Sequence, residues 1–191
     1  LRLVSGLGNP GPEYEGTRHN VGYEVVDRLA REAGISVKRV ECRALVGRGK
    51  IGDEPVMLAK PITYMNASGE AVAGLLTKLK LEPGGLLVVA DEIDLPLGVL
   101  RLKARGSSAG QKGLKSIESC LGTREFARLR IGIRGERYSR EHALGDYVLD
   151  RFARSERDAV EATLDRAVEA VRTWIVSGVD TAMNRFNALS E

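Results

Sequence analysis

Residues that staple, ligate or span are scarce in this sequence. Its 191 residues include two cysteines, two histidines and one tryptophan, and aromatics make up 5% of the chain. Cys42 and Cys120 are too few and too far apart for a disulfide framework, and with only two histidines no metal-ligand cluster can be assembled, so no metal and no cofactor are expected. The cysteines read as small, reduced, buried residues. No apolar run approaches the ~20 residues that cross a bilayer, and LRLVSGLGNP breaks too early for a signal peptide. Membrane insertion is excluded on that reading and a cytoplasmic location is expected. A plastid stroma, reached after removal of a transit peptide, is the alternative for a chain that opens on Leu1. At this length about 70% of the extended-chain surface can be buried, so one domain over residues 1–191 is the expectation and no staple is required.

Charge of one sign is also lacking overall, with a formal net charge of +3. Its distribution is uneven. Between Gly98 and Arg137 ten Lys/Arg face three acids, a local +7, while the other 151 residues sum to −4. Such a segment can hold a polyanion, phosphate being the commonest, or it can be a solvated basic face.

Hydrophobic spacing alternates strands with helices. Leu1 to Ser5 reads as a buried strand closed by the turn residues Gly6, Gly8, Asn9, Pro10, Gly11 and Pro12. Val21 to Glu32 is helical, with Asn20 placed to cap it and Gly34 to end it. Arg43 to Ile51 and Val56 to Lys60 form a hairpin. A helix over about Ala67 to Leu79 precedes the apolar run Leu86 to Ala90, a strand covered on both faces that ends on Asp91-Glu92-Ile93-Asp94. Val99 to Lys103 is a strand, Lys112 to Cys120 a helix and Arg128 to Ile133 a strand. Gly135 to His142 reads as a mobile connection. Arg154 to Val176 carries the longest helical pattern, and a short helix near Asp180 to Ala188 closes the chain. This alternation predicts one three-layer α/β/α domain with a mixed, largely parallel sheet.

Gly6-Leu7-Gly8-Asn9-Pro10-Gly11 fits G-x-G-x-x-G after a strand, but Pro10 and Pro12 offer no N–H to a pyrophosphate and the helix starts some ten residues later. A turn that aims Asn9 toward a site at the strand's C-terminal end fits better. His19, in Thr17-Arg18-His19-Asn20, is the natural general base near neutral pH, or else a helix-entry residue bonded to backbone. Asp91, where a buried strand ends, can orient an imidazole and stabilise its protonated form; Glu92 and Asp94 are equal candidates from position alone. Asn66 precedes a helix and reads as its N-cap. A water-activating His–Asp pair is the chemistry that remains once nucleophile-elbow and Walker patterns are found absent.

The glycine turn with Tyr14 and Thr17-Arg18-His19-Asn20 resembles the opening of the bacterial-type peptidyl-tRNA hydrolases. Lys60-Pro61-Ile62-Thr63-Tyr64-Met65-Asn66-Ala67-Ser68-Gly69, Asp91-Glu92-Ile93-Asp94-Leu95-Pro96 and Arg128-Leu129-Arg130-Ile131-Gly132-Ile133 match further motifs in the same order, over nearly the whole chain. The resemblance implies a monomeric, metal-independent α/β/α enzyme that cleaves the ester between a peptide and tRNA. It makes His19 the base that activates water and Asp91 its orienting partner. Asn9 and Asn66 would hold the peptide backbone, Tyr14 and Met65 would line the groove, and Lys103 and Arg130 would clamp the tRNA 5′ phosphate.

One position departs from the pattern. Many members follow the glycine loop with His-Asn-Gly, whereas here Gln111-Lys112-Gly113 stands. Lys112 donates but cannot accept a hydrogen bond, so it would serve an oxyanion or an RNA phosphate, with Gln111 taking part of the amide's role. The departure keeps a rival in view, an RNA- and protein-binding module on the same fold without hydrolysis, similar to a plastid splicing factor of the family. Retention of His19, Asp91, Asn9 and Asn66 favours the enzyme.

Overall fold

The computed structural model describes residues 1–136, 138–139, 141 and 144–187. In chain order they form β1 (Arg2–Gly6), α1 (Val21–Ala33), β2 (Arg39–Glu41), β3 (Ala44–Ile51), β4 (Glu54–Pro61), α2 (Ser68–Leu79), β5 (Leu86–Pro96), β6 (Leu100–Lys103), α3 (Lys112–Leu121), β7 (Ala127–Arg134), α4 (Leu144–Val148), α5 (Arg157–Ser177) and α6 (Val179–Phe186). The strands make one seven-stranded sheet in the order β2-β3-β4-β1-β5-β7-β6. Its centre, β4-β1-β5-β7, is parallel, and antiparallel pairs flank it at both edges. This is the expected α/β domain with a mixed sheet.

Successive strand residues point to opposite faces, which divides the core in two. Val4, Leu87, Val89 and Leu129 meet α1, α5 and α6 on one face, packed around Leu29, Leu164 and Trp174. Leu3, Leu86, Val88 and Ala90 meet α2 and α3 on the other, packed around Leu75, Leu114 and Ile117. Strands β1 and β5 are therefore apolar on both sides, and their C-terminal ends are where the polar residues emerge. At the β6 edge Asn187 acts as a substitute strand: its Oδ1 accepts from Leu102 N and its Nδ2 donates to Leu102 O, both at 2.8 Å, so that part of the edge is already paired.

The glycine turn after β1 exists for close packing. A Cβ on Gly6 would lie 2.1 Å from the Gly22 carbonyl oxygen, so strand end and α1 touch backbone to backbone. Helix α1 begins at Val21, too late for any glycine of the turn to present its N-terminus to a phosphate.

Several expectations need correction. Strand β5 does not end on the acidic segment but carries it: Asp91 and Glu92 stay in register with β7, and a bulge between Glu92 and Pro96 absorbs the irregularity. Asn20 does not cap α1 with its side chain, which is committed to Asn9 instead. Asn66 is not an N-cap either; it lies exposed in a 3-10 turn, and α2 starts two residues later. Cys120 is exposed near the C-terminal end of α3, and Cys42 is half-buried in the turn between β2 and β3. The expected mobile connection over 135–142 falls partly on residues outside those described.

Candidate active site

Parallel strands β1 and β5 release their chains at the same end of the sheet, and the residues singled out in the sequence converge there. The loop after β1 supplies Asn9 and His19, β5 supplies Asp91, the segment after β4 supplies Met65, and the start of α3 supplies Gln111. Together with α4 they surround a cleft of about 620 Å³.

At its floor His19 Nδ1 lies 2.9 and 2.8 Å from the two carboxylate oxygens of Asp91. A carboxylate only accepts, so Nδ1 carries the proton, and in the neutral imidazole Nε2 is the acceptor of a ring that lines the cleft. Both residues are buried, His19 at 8% and Asp91 at 3% exposure, which strengthens the pair relative to water. The helix-entry alternative for His19 is thereby displaced: its ring bonds to a carboxylate rather than to backbone. Asp91 is the partner, not Glu92 or Asp94.

Gln111 ties this pair to α3. Its Nε2 donates to Asp91 Oδ1 at 3.0 Å and lies 3.3 Å from Met65 Sδ, while its Oε1 accepts from Leu114 N at 2.8 Å. Gln111 is thus the N-cap of α3 and an orienting donor to Asp91, with both ends of its amide spent. It also lines the cleft.

Asn9 is fixed with equal care. Its backbone N donates to Asn20 Oδ1 at 2.8 Å, its backbone O accepts from Asn20 Nδ2 at 3.0 Å, and its side-chain Oδ1 accepts from Met65 N at 2.8 Å. Among the described residues nothing accepts from its Nδ2, which leaves the amide NH₂ group as a donor at the cleft. Asn66 and Lys112 are exposed at the cleft's mouth, and Met65 is buried against its floor. Tyr14 does not line the cleft; it packs edge-on against Tyr64, ring centres 6.3 Å apart. Tyr64 holds φ +64°, a backbone region costly for an aromatic residue, and it forms the outer wall.

Lys103 and Arg130 lie away from the floor, on the strand pair β6–β7. Cross-strand pairs Lys103↔Arg128 and Arg101↔Arg130 put four basic side chains on one sheet face. They are not equivalent. Arg128 is fully buried, stacked on Phe126 and bonded to Glu118 and to the carbonyls of Ser107 and Arg124, and burial pulls its pKa down. It is a structural charge cancelled by Glu118, so the pair leaves the local excess of the segment unchanged. Lys103 is exposed.

Arg18, quoted above only as part of the Thr17-Arg18-His19-Asn20 motif, has a structural role that local pattern does not state. This neighbour of His19 is 6% exposed, bonds to the Ile133 carbonyl at 3.0 Å and to Glu156 at 2.8 Å, and is sandwiched by Tyr147 and Phe152. With Arg18 N donating to Asp150 O at 2.9 Å, it pins the His19 turn to the segment that carries the α4 wall of the cleft.

The sequence profile of the peptidyl-tRNA hydrolases matches residues 3–191. A peptidyl-tRNA hydrolase of Desulforamulus reducens is 46% identical over 187 residues, covering 98% of this chain and 89% of its own. One of Dehalococcoides mccartyi is 47% identical, covering 98% of this chain and the whole of its own. The crystal structure of peptidyl-tRNA hydrolase from Acinetobacter baumannii superposes with a TM-score of 0.90 at 38% identity, over 98% of this chain and 95% of that one. Matched in sequence and in fold along nearly its whole length, the chain belongs to the peptidyl-tRNA hydrolase family.

Proposed function

We propose that this protein hydrolyses the ester that joins a peptide to the 3′ end of tRNA, with His19 as general base. The observation that carries the reading is the His19–Asp91 pair, which spends Nδ1 on the carboxylate and leaves Nε2 to a water in the cleft. His19 takes a proton from that water as its oxygen attacks the ester carbonyl, and Asp91 stabilises the imidazolium. The Asn9 amide donor serves the carbonyl oxygen or the adjoining peptide backbone, and an oxyanion there is worth far more to a fixed donor than to solvent. As the bond to the tRNA 3′ oxygen breaks, the imidazolium returns the proton to that oxygen. Water adds across the ester, and the balance needs no metal or redox partner.

Asn66, Met65 and Tyr64, the last braced by Tyr14, form the wall along which the peptide runs. Gln111 orients Asp91. Lys112, exposed at the first turn of α3, donates to the substrate where an asparagine stands in many members. Lys103 and Arg130 take the 5′ phosphate. A monomer working on the cytoplasmic tRNA pool fits this scheme. Retention of His19, Asp91, Asn9 and Asn66, with the first two paired in the cleft, favours the enzyme over a pure RNA-binding module, which has no use for that set. The test is release of N-blocked amino acid from aminoacyl-tRNA by the purified protein; no cleavage by the unmodified chain at any attainable concentration would make it a binding protein.

A further inference from the structure

Next to Asp91 the cleft wall carries an ionisable group with no part in the hydrolytic scheme. Glu92 is 4% exposed, and its Oε1 accepts from Asp94 N at 3.1 Å. Its Oε2 is buried without a hydrogen bond, 3.7 Å from Arg130 Nη1. Arg130 is equally unfinished: Nη2 donates to the Ser107 carbonyl, but the buried Nε has no acceptor, and the side chain is only 11% exposed. The register Ala90↔Arg130 and Glu92↔Gly132 puts both side chains on the same sheet face. Burial pushes the Glu92 carboxyl above the usual carboxylate range, against the lowering pull of the Asp94 backbone N–H and Arg130. A buried ion pair that stops short of hydrogen-bond contact leaves part of its desolvation cost uncompensated, so each partner gains by finding a better one.

We infer that Glu92 is a resident counter-anion that stows Arg130 inside the protein and competes with an RNA phosphate for its guanidinium. The inference rests on Arg130 being a phosphate ligand. A phosphate offers charge-assisted, bidentate hydrogen bonds that the Glu92 carboxylate does not make here, and it recruits Arg130 by drawing the guanidinium outward. Phosphate affinity is then lower than a free arginine would give, and the product tRNA leaves the more easily. The cost of releasing Arg130 falls on the residue beside Asp91, so occupation of the phosphate site is felt one residue from the catalytic carboxylate.

The test is a double-mutant cycle on binding of deacylated tRNA with and without its 5′ phosphate, at fixed salt. Glu92→Gln is isosteric and keeps the Oε1 acceptor for Asp94 N. It should tighten binding of 5′-phosphorylated tRNA about fivefold, the low end of typical coupling between sites. It should leave dephosphorylated tRNA unchanged and have no effect in an Arg130→Ala background. Tightening that persists without the phosphate, or without Arg130, would show only the removal of a negative charge and overturn the inference. Weaker binding in Glu92→Gln would overturn it too, making Glu92 a support for Arg130 rather than a competitor. If Arg130→Ala weakens binding of phosphorylated tRNA while Glu92→Gln changes nothing, the stowing role alone fails. If Arg130→Ala changes nothing, the phosphate role of Arg130 and the inference fall together.

Discussion

Replacing Gln111 separates two jobs held by one side chain. Gln111→Ala removes the N-cap bond to Leu114 N and the donor to Asp91 Oδ1. A lost cap costs about 1 kcal/mol, and a lost hydrogen bond to a buried carboxylate about 1.5–3 kcal/mol. Together these are about 3 kcal/mol, which for a chain of this size lowers Tm by about 6–12 °C. Gln111→Ser restores a good N-cap but is too short to reach Asp91, so it should recover only the cap's share, about 2–4 °C. Catalysis should not follow stability. Both variants leave the Asp91 carboxylate less well aimed at His19, and kcat on N-blocked aminoacyl-tRNA should fall about tenfold in each, the equivalent of ~1.4 kcal/mol in the barrier. Thermal unfolding and steady-state kinetics on the same preparations read both effects. If Gln111→Ser recovered activity and stability together, the Asp91 contact would have no catalytic role and the reasoning would be refuted.

Glu156→Gln strands the buried Arg18 charge at an expected cost of about 3 kcal/mol, seen as a Tm lower by about 6–12 °C; an unchanged Tm would show that this pair does not hold the His19 turn. For Lys112 the decisive comparison is between Lys112→Ala, which should slow single-turnover cleavage, and Lys112→Asn, which should largely restore it, because either side chain can donate to the carbonyl oxygen. Weaker, salt-dependent binding with unchanged cleavage in both variants would reassign Lys112 to RNA phosphate. Lys103→Ala should reduce the salt slope of tRNA binding by about one, yet leave cleavage of a short ester without the tRNA body unaffected; equal losses on both substrates would move Lys103 into the site or the fold.

Local pattern made most of the elements legible. The spacing of Val21, Val25, Val26 and Leu29 marks α1, and Leu86 to Ala90 marks a strand buried on both faces, because burial itself imposes those patterns. Where burial is slight the signal fades: β2 is three residues with two exposed, and α4 is a five-residue helix with one buried side chain. The continuation of β5 through Asp91 and Glu92 was hidden because acidic residues read as turn formers, whereas pairing with β7 keeps them extended. His19 and Asp91 could be nominated separately, from chemistry and from position at a strand end. What joined them was the parallel β1–β5 pairing, which no local spacing states. Gln111 and Arg18 were beyond reach in their actual roles, since their partners lie 20 and 138 residues away. For Arg18 the one hint was a charged residue in a loop otherwise destined for burial.

The central claim is that His19, oriented by Asp91, activates the water that cleaves the ester. Single-turnover cleavage of N-blocked aminoacyl-tRNA at saturating enzyme, comparing the unmodified protein with a folded His19→Ala variant, tests it most directly. A loss of at least ~10²-fold is predicted, the lower end of what a positioned base contributes. Cleavage by His19→Ala within a few-fold of the unmodified protein would contradict the account and place the base elsewhere.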